Sequence, residues 1–306
     1  GRRREQGERG ARVLGPRGAE TEGNEEGEGS DTMGSTTTGG QPAYYIPQPS
    51  HWPITGSVAL LLMGMGAAFW FNGVAAGPWM VGTGFVILLV MLFGWFGTVI
   101  GESEARLYSK RVDMSFRWSM SWFIFSEVMF FAAFFGALFY VRNLSVPDLG
   151  SPGQKLLWPE FAASWPTVGP YVKEQFTPMG AIGIPLLNTI ILLTSGVTLT
   201  IAHHALKASQ RGRTAFWLAA TVLLGLIFLG FQAYEYIHAY RDLNLKLTTG
   251  VYGSTFFMLT GFHGAHVTVG VIMLTVMLLR ILRGHFTADH HFAFEATAWY
   301  WHFVDV

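Results

Sequence analysis

Apolar runs of the length a bilayer demands follow one another from His51 to the end of the chain, separated by polar connections. A helix rises 1.5 Å per residue, so roughly 20 apolar residues cross a hydrocarbon core about 30 Å thick. On that measure the pattern predicts spans at 54–74, 78–100, 116–141, 182–203, 214–236 and 253–279, with a seventh opening near 292. The residues after His291 are too few to cross, so the seventh helix is expected to be cut short. The expected fold is all-α, a membrane protein of seven transmembrane helices with the last one truncated.

The first 50 residues do not share this pattern. Residues 1–32 hold six arginines and eight acidic residues with almost no large apolar side chains, a composition that cannot offset its own ordering entropy. Residues 1–50 are therefore expected to be a disordered segment, and 51–306 a single transmembrane domain. Met33, followed by Gly34 and a Ser/Thr run, reads as a more natural start, which sets 1–32 apart as upstream translation or a cloning remnant. No apolar core of a signal peptide follows the arginines.

The connections give an orientation. Arg106, Lys110 and Arg111 lie between spans two and three, Lys207, Arg211 and Arg213 between four and five, and Arg280 and Arg283 between six and seven. The 72–78 turn has no basic residue, and the 143–181 loop has Lys155 and Lys173. An excess of Lys and Arg marks the cytoplasmic side, so the N-terminus and the basic loops are expected there.

Composition narrows the chemistry. The chain is 50% hydrophobic, 15% aromatic and 13% charged, which suits lipid better than water. Its formal charge is zero, so nothing points to nucleic acid, and the absence of cysteine excludes disulfides and thiolate metal sites.

What remains are polar residues inside apolar sequence, where each ionisable group is costly and needs a partner or a role. Glu127 lies near the centre of span three and should be protonated, paired or exposed to water or polar lipid. His263 and His266, three apart, share a face of span six, but two nitrogens do not close a metal site. Gln232 and Glu235 repeat that spacing in span five. Glu295 and Trp299 share a face at the start of span seven, and His302 and Asp305 read as a structural hydrogen bond one turn further on. His203, His204, His285, His290 and His291 gather at the inner ends of the spans, where they either collect protons or bond headgroups and loop carbonyls. Arg280 is suited to a lipid phosphate because guanidinium can chelate two oxygens.

Several stretches occur together in an order that resembles subunit III of the heme-copper cytochrome c oxidases. They include Trp52-Pro-Ile-Thr-Gly56, Phe125-Ser-Glu-Val-Met-Phe-Phe131, Pro185-Leu-Leu-Asn-Thr189, Ala202-His-His-Ala205, Gln232-Ala-Tyr-Glu-Tyr236, Thr260-Gly-Phe-His-Gly-Ala-His-Val267, His291-Phe-Ala-Phe-Glu295 and Ala298-Trp-Tyr-Trp-His-Phe-Val-Asp-Val306. The resemblance implies a non-catalytic subunit that binds no heme or copper itself, those centres lying in partner subunits. It implies direct packing on subunit I, with subunit II in the same complex and cytochrome c as the electron donor. It implies structural phospholipids in a V-shaped cleft between helices 1–2 and 3–7, and support for proton uptake and turnover stability. Glu127 falls on the family's buried carboxylate and His263 and His266 on its helix-six histidines. Arg280, Trp95, Glu102, His285 and His291 fall at the lipid contacts. The stretch Trp95-Phe-Gly-Thr-Val-Ile-Gly-Glu102 departs from the two tryptophans and further charges frequent there, and the 143–181 loop has no family pattern. A bacterial plasma membrane is expected, since the N-terminal region is acidic-rich and unlike a transit peptide.

Three rivals are set against this reading. A quinol oxidase subunit III is the runner-up, although spans one and two are often missing from it. A membrane di-iron oxygenase would use the eight histidines that lie from His203 onward when His238 is set aside, but His263 and His266 lie too deep in their span to meet the others at one membrane face. A proton-coupled transporter carrying protons on Glu127 would show paired Gly/Pro-broken helices, and none are evident.

Overall fold

The computed structural model describes residues 45–172 and 174–306; the expectation of a disordered N-terminal segment lies outside it for residues 1–44, as does Lys173. Among the described residues there are seven long helices and no strands. They are α1 (Trp52–Phe71), α2 (Gly77–Glu104), α3 (Lys110–Tyr140), α5 (Ile184–Lys207), α6 (Arg211–Arg241), α7 (Gly250–Arg283) and α8 (Phe292–Asp305), with a short α4 (Val146–Leu149) following α3 through one π-helical turn. All but α4 and α8 are long and apolar enough to cross a bilayer.

Local chemistry sets the ends. Pro53, Pro78 and Pro185 open α1, α2 and α5, where the missing N–H would have had no helical partner anyway. The Ser109 hydroxyl accepts from the Val112 N–H and caps α3. Gly284, at φ +86°, closes α7 in the left-handed conformation. Helix α3 starts well before the apolar core read from the sequence, and α7 runs about a turn past its core at each end, because hydrophobicity marks only the part of a helix that sits in hydrocarbon.

Helices α1 and α2 form a hairpin. Among their buried positions, Ala59 and Gly66 on one and Gly77, Gly84 and Met91 on the other recur at heptad spacing, the period of a left-handed helix pair, and Gly56 of α1 faces Met91. At Gly84 a side chain would run into the Ala59 carbonyl and Met63, so small residues here let two backbones meet where lipid offers no hydrophobic drive to associate. The Trp52 indole N–H donates to Thr98 Oγ1 at 3.2 Å and fastens the hairpin's open end. No other long helix packs along α1 or α2 among the described residues.

The remaining helices form the second body. Its core lies between α5, α6, α7 and α8 and includes Leu199, Leu218, Val267, Leu274, Ile281, Phe294 and Trp301. Trp301 is fully buried; its indole N–H donates to Ser195 Oγ at 2.9 Å, and its ring lies where a side chain at Gly225 would be. Helix α3 buries no residue completely within this chain and leans on α7 and α8 through aromatic and polar contacts. The 143–181 loop folds back onto the start of α7, where the Val168 and Thr167 carbonyls accept from the N–H groups of Val251 and Tyr252.

Candidate functional site

Glu127 and His266 meet between α3 and α7. His266 Nε2 lies 2.8 Å from Glu127 Oε2, and its Nδ1 lies 2.6 Å from the Phe262 carbonyl on the preceding turn. A carbonyl can only accept, so Nδ1 carries a hydrogen. The Nε2 to Oε2 contact then holds one proton, either on the carboxyl or on the imidazole, and the pair is neutral in both arrangements. This answers the cost of a charge at this depth without solvent. Phe130 and Phe131 flank the imidazole at centroid distances of 5.9 and 5.0 Å, and the Tyr300 hydroxyl donates to the His266 carbonyl at 3.1 Å. His263 turns elsewhere, edge-on to Phe228 at 5.6 Å. The two histidines therefore serve different helix contacts rather than one ligand.

A second cluster lies where the ends of α2 and α7 meet, beside the basic loops. Arg280 is buried, and its Nη2 donates to Glu104 Oε1 at 2.9 Å across 176 residues of sequence. Its guanidinium also lies 4.3 Å from the centre of the Phe286 ring, a cation–π contact. His285 Nδ1 is 3.6 Å from the same Glu104 oxygen. Glu102 takes a different partner, accepting from the Tyr108 hydroxyl at 2.6 Å. Burial first, and then the neighbouring Glu102, push the Tyr108 phenol well above its ordinary pKa, so it stays a donor at any physiological pH. Trp95 is half exposed and stacks only on Phe96.

A third polar contact ties α3 to α8. Arg117 Nη1 donates to Glu295 at 2.7 Å, while its Nε donates to Asp113 at 2.8 Å. Neither Arg117 nor Glu104 was singled out from the sequence. Both look like ordinary interfacial charges until long-range pairing is known, and only the Asp113/Arg117 spacing of four gave a local sign.

The other polar residues are placed as follows. Gln232 donates to the Thr260 carbonyl at 2.8 Å, and Tyr236 and Thr260 share a hydroxyl contact of 2.7 Å. Glu235 Oε1 is buried without a partner. His302 Nδ1 is 3.3 Å from Asp305 Oδ2, the contact read from their spacing, and Trp299 is half-buried beside them. His291 Nδ1 donates to the Thr287 carbonyl at 3.2 Å, and its ring meets His203 of α5 edge-on at 5.4 Å. Among the described residues, no group of three or more His, Asp or Glu is placed to hold a metal ion.

A helical protein with six candidate membrane spans and few charges in them, most paired within the chain at α3–α7, α2–α7 and α3–α8, belongs to the class of polytopic membrane proteins. The model of the family described as cytochrome c oxidase subunit III matches residues 42–306, and the chain belongs to that family. The chain is 42% identical over 265 residues to cytochrome c oxidase subunit 3 of Cyprinus carpio, covering 86% of this chain and 92% of the relative. The same identity and coverage hold for the Danio rerio protein of that name, and the Oryctolagus cuniculus protein is 41% identical over the same shares.

Proposed function

We propose that this chain is the non-catalytic subunit III of a proton-pumping terminal oxidase. It stabilises the complex and its proton uptake while hemes and copper in partner subunits I and II carry electrons from cytochrome c to oxygen. The observation that carries this reading is that most intramembrane ionisable groups pair within the chain, above all Glu127 with His266 at 2.8 Å, and do not converge on an open site. Pairing of that kind suits a scaffold that keeps a neutral polar contact in lipid.

The separate α1–α2 hairpin leaves apolar side chains of α2 such as Phe85, Phe93 and Phe96 exposed, which suits phospholipid chains lying between hairpin and bundle. Headgroups would then lie at the inner end, near Arg280, His285, Glu102, Trp95 and His291. The basic loops favour a cytoplasmic N-terminus, and the plasma membrane of a bacterium is the setting proposed. The animal relatives support the family and leave the source open.

Purifying the complex through a tag on this chain tests the assignment. A heme spectrum is expected from the complex and none from the chain stripped of its partners. A tagged complex without heme, or heme that stays with the isolated chain, would overturn it.

A further inference from the structure

Among the described residues, the α1–α2 hairpin has one polar tie to the long helices of the second body, Glu104 to Arg280, at the C-terminal end of α2. The Arg280 side chain is 6% exposed and that of Glu104 36%, so the carboxylate is the partner open to the surroundings. One donor is left over. Arg280 Nε is buried with no hydrogen-bond partner, and His285 Nδ1 is buried beside it without one, 3.6 Å from Glu104 Oε1. One carboxylate oxygen thus serves a site with capacity for a larger anion. A phosphate diester, with two unesterified oxygens on a tetrahedral centre, could accept from Nη2 and Nε together, a two-point contact that Glu104 does not make here.

We propose that Glu104 is a competitor, built into the chain, for the phosphate of a lipid headgroup at Arg280. Fastening of the hairpin to the bundle and phosphate binding at this arginine are then alternatives. The proposal rests on the lipid reading given above. With Glu104 in place the guanidinium is covered and the hairpin is tied. When a headgroup phosphate takes Arg280, Glu104 is released toward water and the hairpin is free to swing.

The test uses the purified complex in phosphate-free maltoside detergent. Nitroxides are placed at Asn72→Cys in the α1–α2 turn and Lys155→Cys in the outer loop, this chain having no cysteine of its own. Dioctanoyl phosphatidylglycerol is titrated in, with inorganic phosphate as a parallel arm. The label distance is expected to lengthen as the lipid binds. Glu104→Gln should show the long distance without lipid and bind it roughly five- to tenfold more tightly, the scale of one partly exposed ion pair removed. Exchanging the pair, Glu104→Arg with Arg280→Glu, should restore the short distance, and it decides the tie if the single variant does not assemble.

An unchanged distance in Glu104→Gln overturns the tie, and weaker lipid binding in that variant overturns the competition. Arg280→Gln separates the two layers. If it binds lipid as well as the unaltered chain does, the lipid reading fails at Arg280, whatever Glu104→Gln does to the distance. Equal potency of inorganic phosphate would assign the site to a free anion and remove the lipid as its ligand.

Discussion

His266 faces Glu127 with one ring nitrogen and its own helix backbone with the other, at 2.8 and 2.6 Å. Since the backbone carbonyl fixes a hydrogen on Nδ1, this histidine is neutral only when Glu127 supplies the proton between them. Glu127→Gln preserves that geometry, because the amide N–H can donate to Nε2. The complex should therefore assemble and reduce oxygen at close to its original rate, while labelling of this chain by a hydrophobic carbodiimide, which needs a protonated carboxyl, disappears. Labelling that persists would place the reactive carboxyl elsewhere. Glu127→Leu leaves Nε2 unpaired and should cost about 1–3 kcal/mol, read as a lower midpoint of thermal inactivation.

Arg117 and Glu295 form an ion pair whose carboxylate is mostly shielded, at 18% side-chain exposure. Arg117→Gln leaves Glu295 without its cation and should lower stability by about 1–2 kcal/mol. Adding Glu295→Gln should recover part of that loss, because the stranded charge is gone. A double-mutant cycle on thermal inactivation reads the coupling; strict additivity would mean that the pair contributes nothing.

Close approach within the hairpin makes Gly84 sensitive. A Cβ there would lie 2.8 Å from both the Ala59 carbonyl and the Met63 side chain, whereas at Gly82 it would meet nothing. Gly84→Ala should destabilise by about 1–3 kcal/mol through overpacking, and Gly82→Ala should be silent. Turnover lifetime and thermal inactivation of the complex measure both; equal behaviour of the two variants would contradict the heptad packing.

Sidedness can be read directly. A phosphatase fused in the 143–181 loop should be active outside the cytoplasm, and a fluorescent protein fused near Gly212, in the basic α5–α6 connection, should fluoresce inside. The same side for both would rule out the alternation of loops.

Periodicity and length carried the helices, since a bilayer imposes one thickness on every span. Glu127 was visible as a carboxylate in an apolar run, but its partner lies 139 residues away. His263 and His266 were equal candidates because residues three apart differ by only about 60° around a helix, and only tertiary packing turns one to α3 and the other to α6. The resemblance placed Glu102 among the lipid contacts, yet Glu104, two residues on, meets Arg280. That difference depends on where α2 ends relative to α7, which no local pattern encodes. Residues 1–44 lie outside the described structure, so their reading stands on composition alone.

The hairpin is joined at one end, which makes it a lever. Helix α2 is 28 residues long, or roughly 40 Å. A tilt of about 5° about the Glu104 end would move the far end by roughly 3–4 Å, close to the width of an acyl chain, while the inner end scarcely shifts. Room between hairpin and bundle is then unequal along the helices: nearly constant at the Glu104 end and adjustable at the other. Acyl chains entering at the α1–α2 turn would meet a gap that can yield, and those entering at the Glu104 end one of set width.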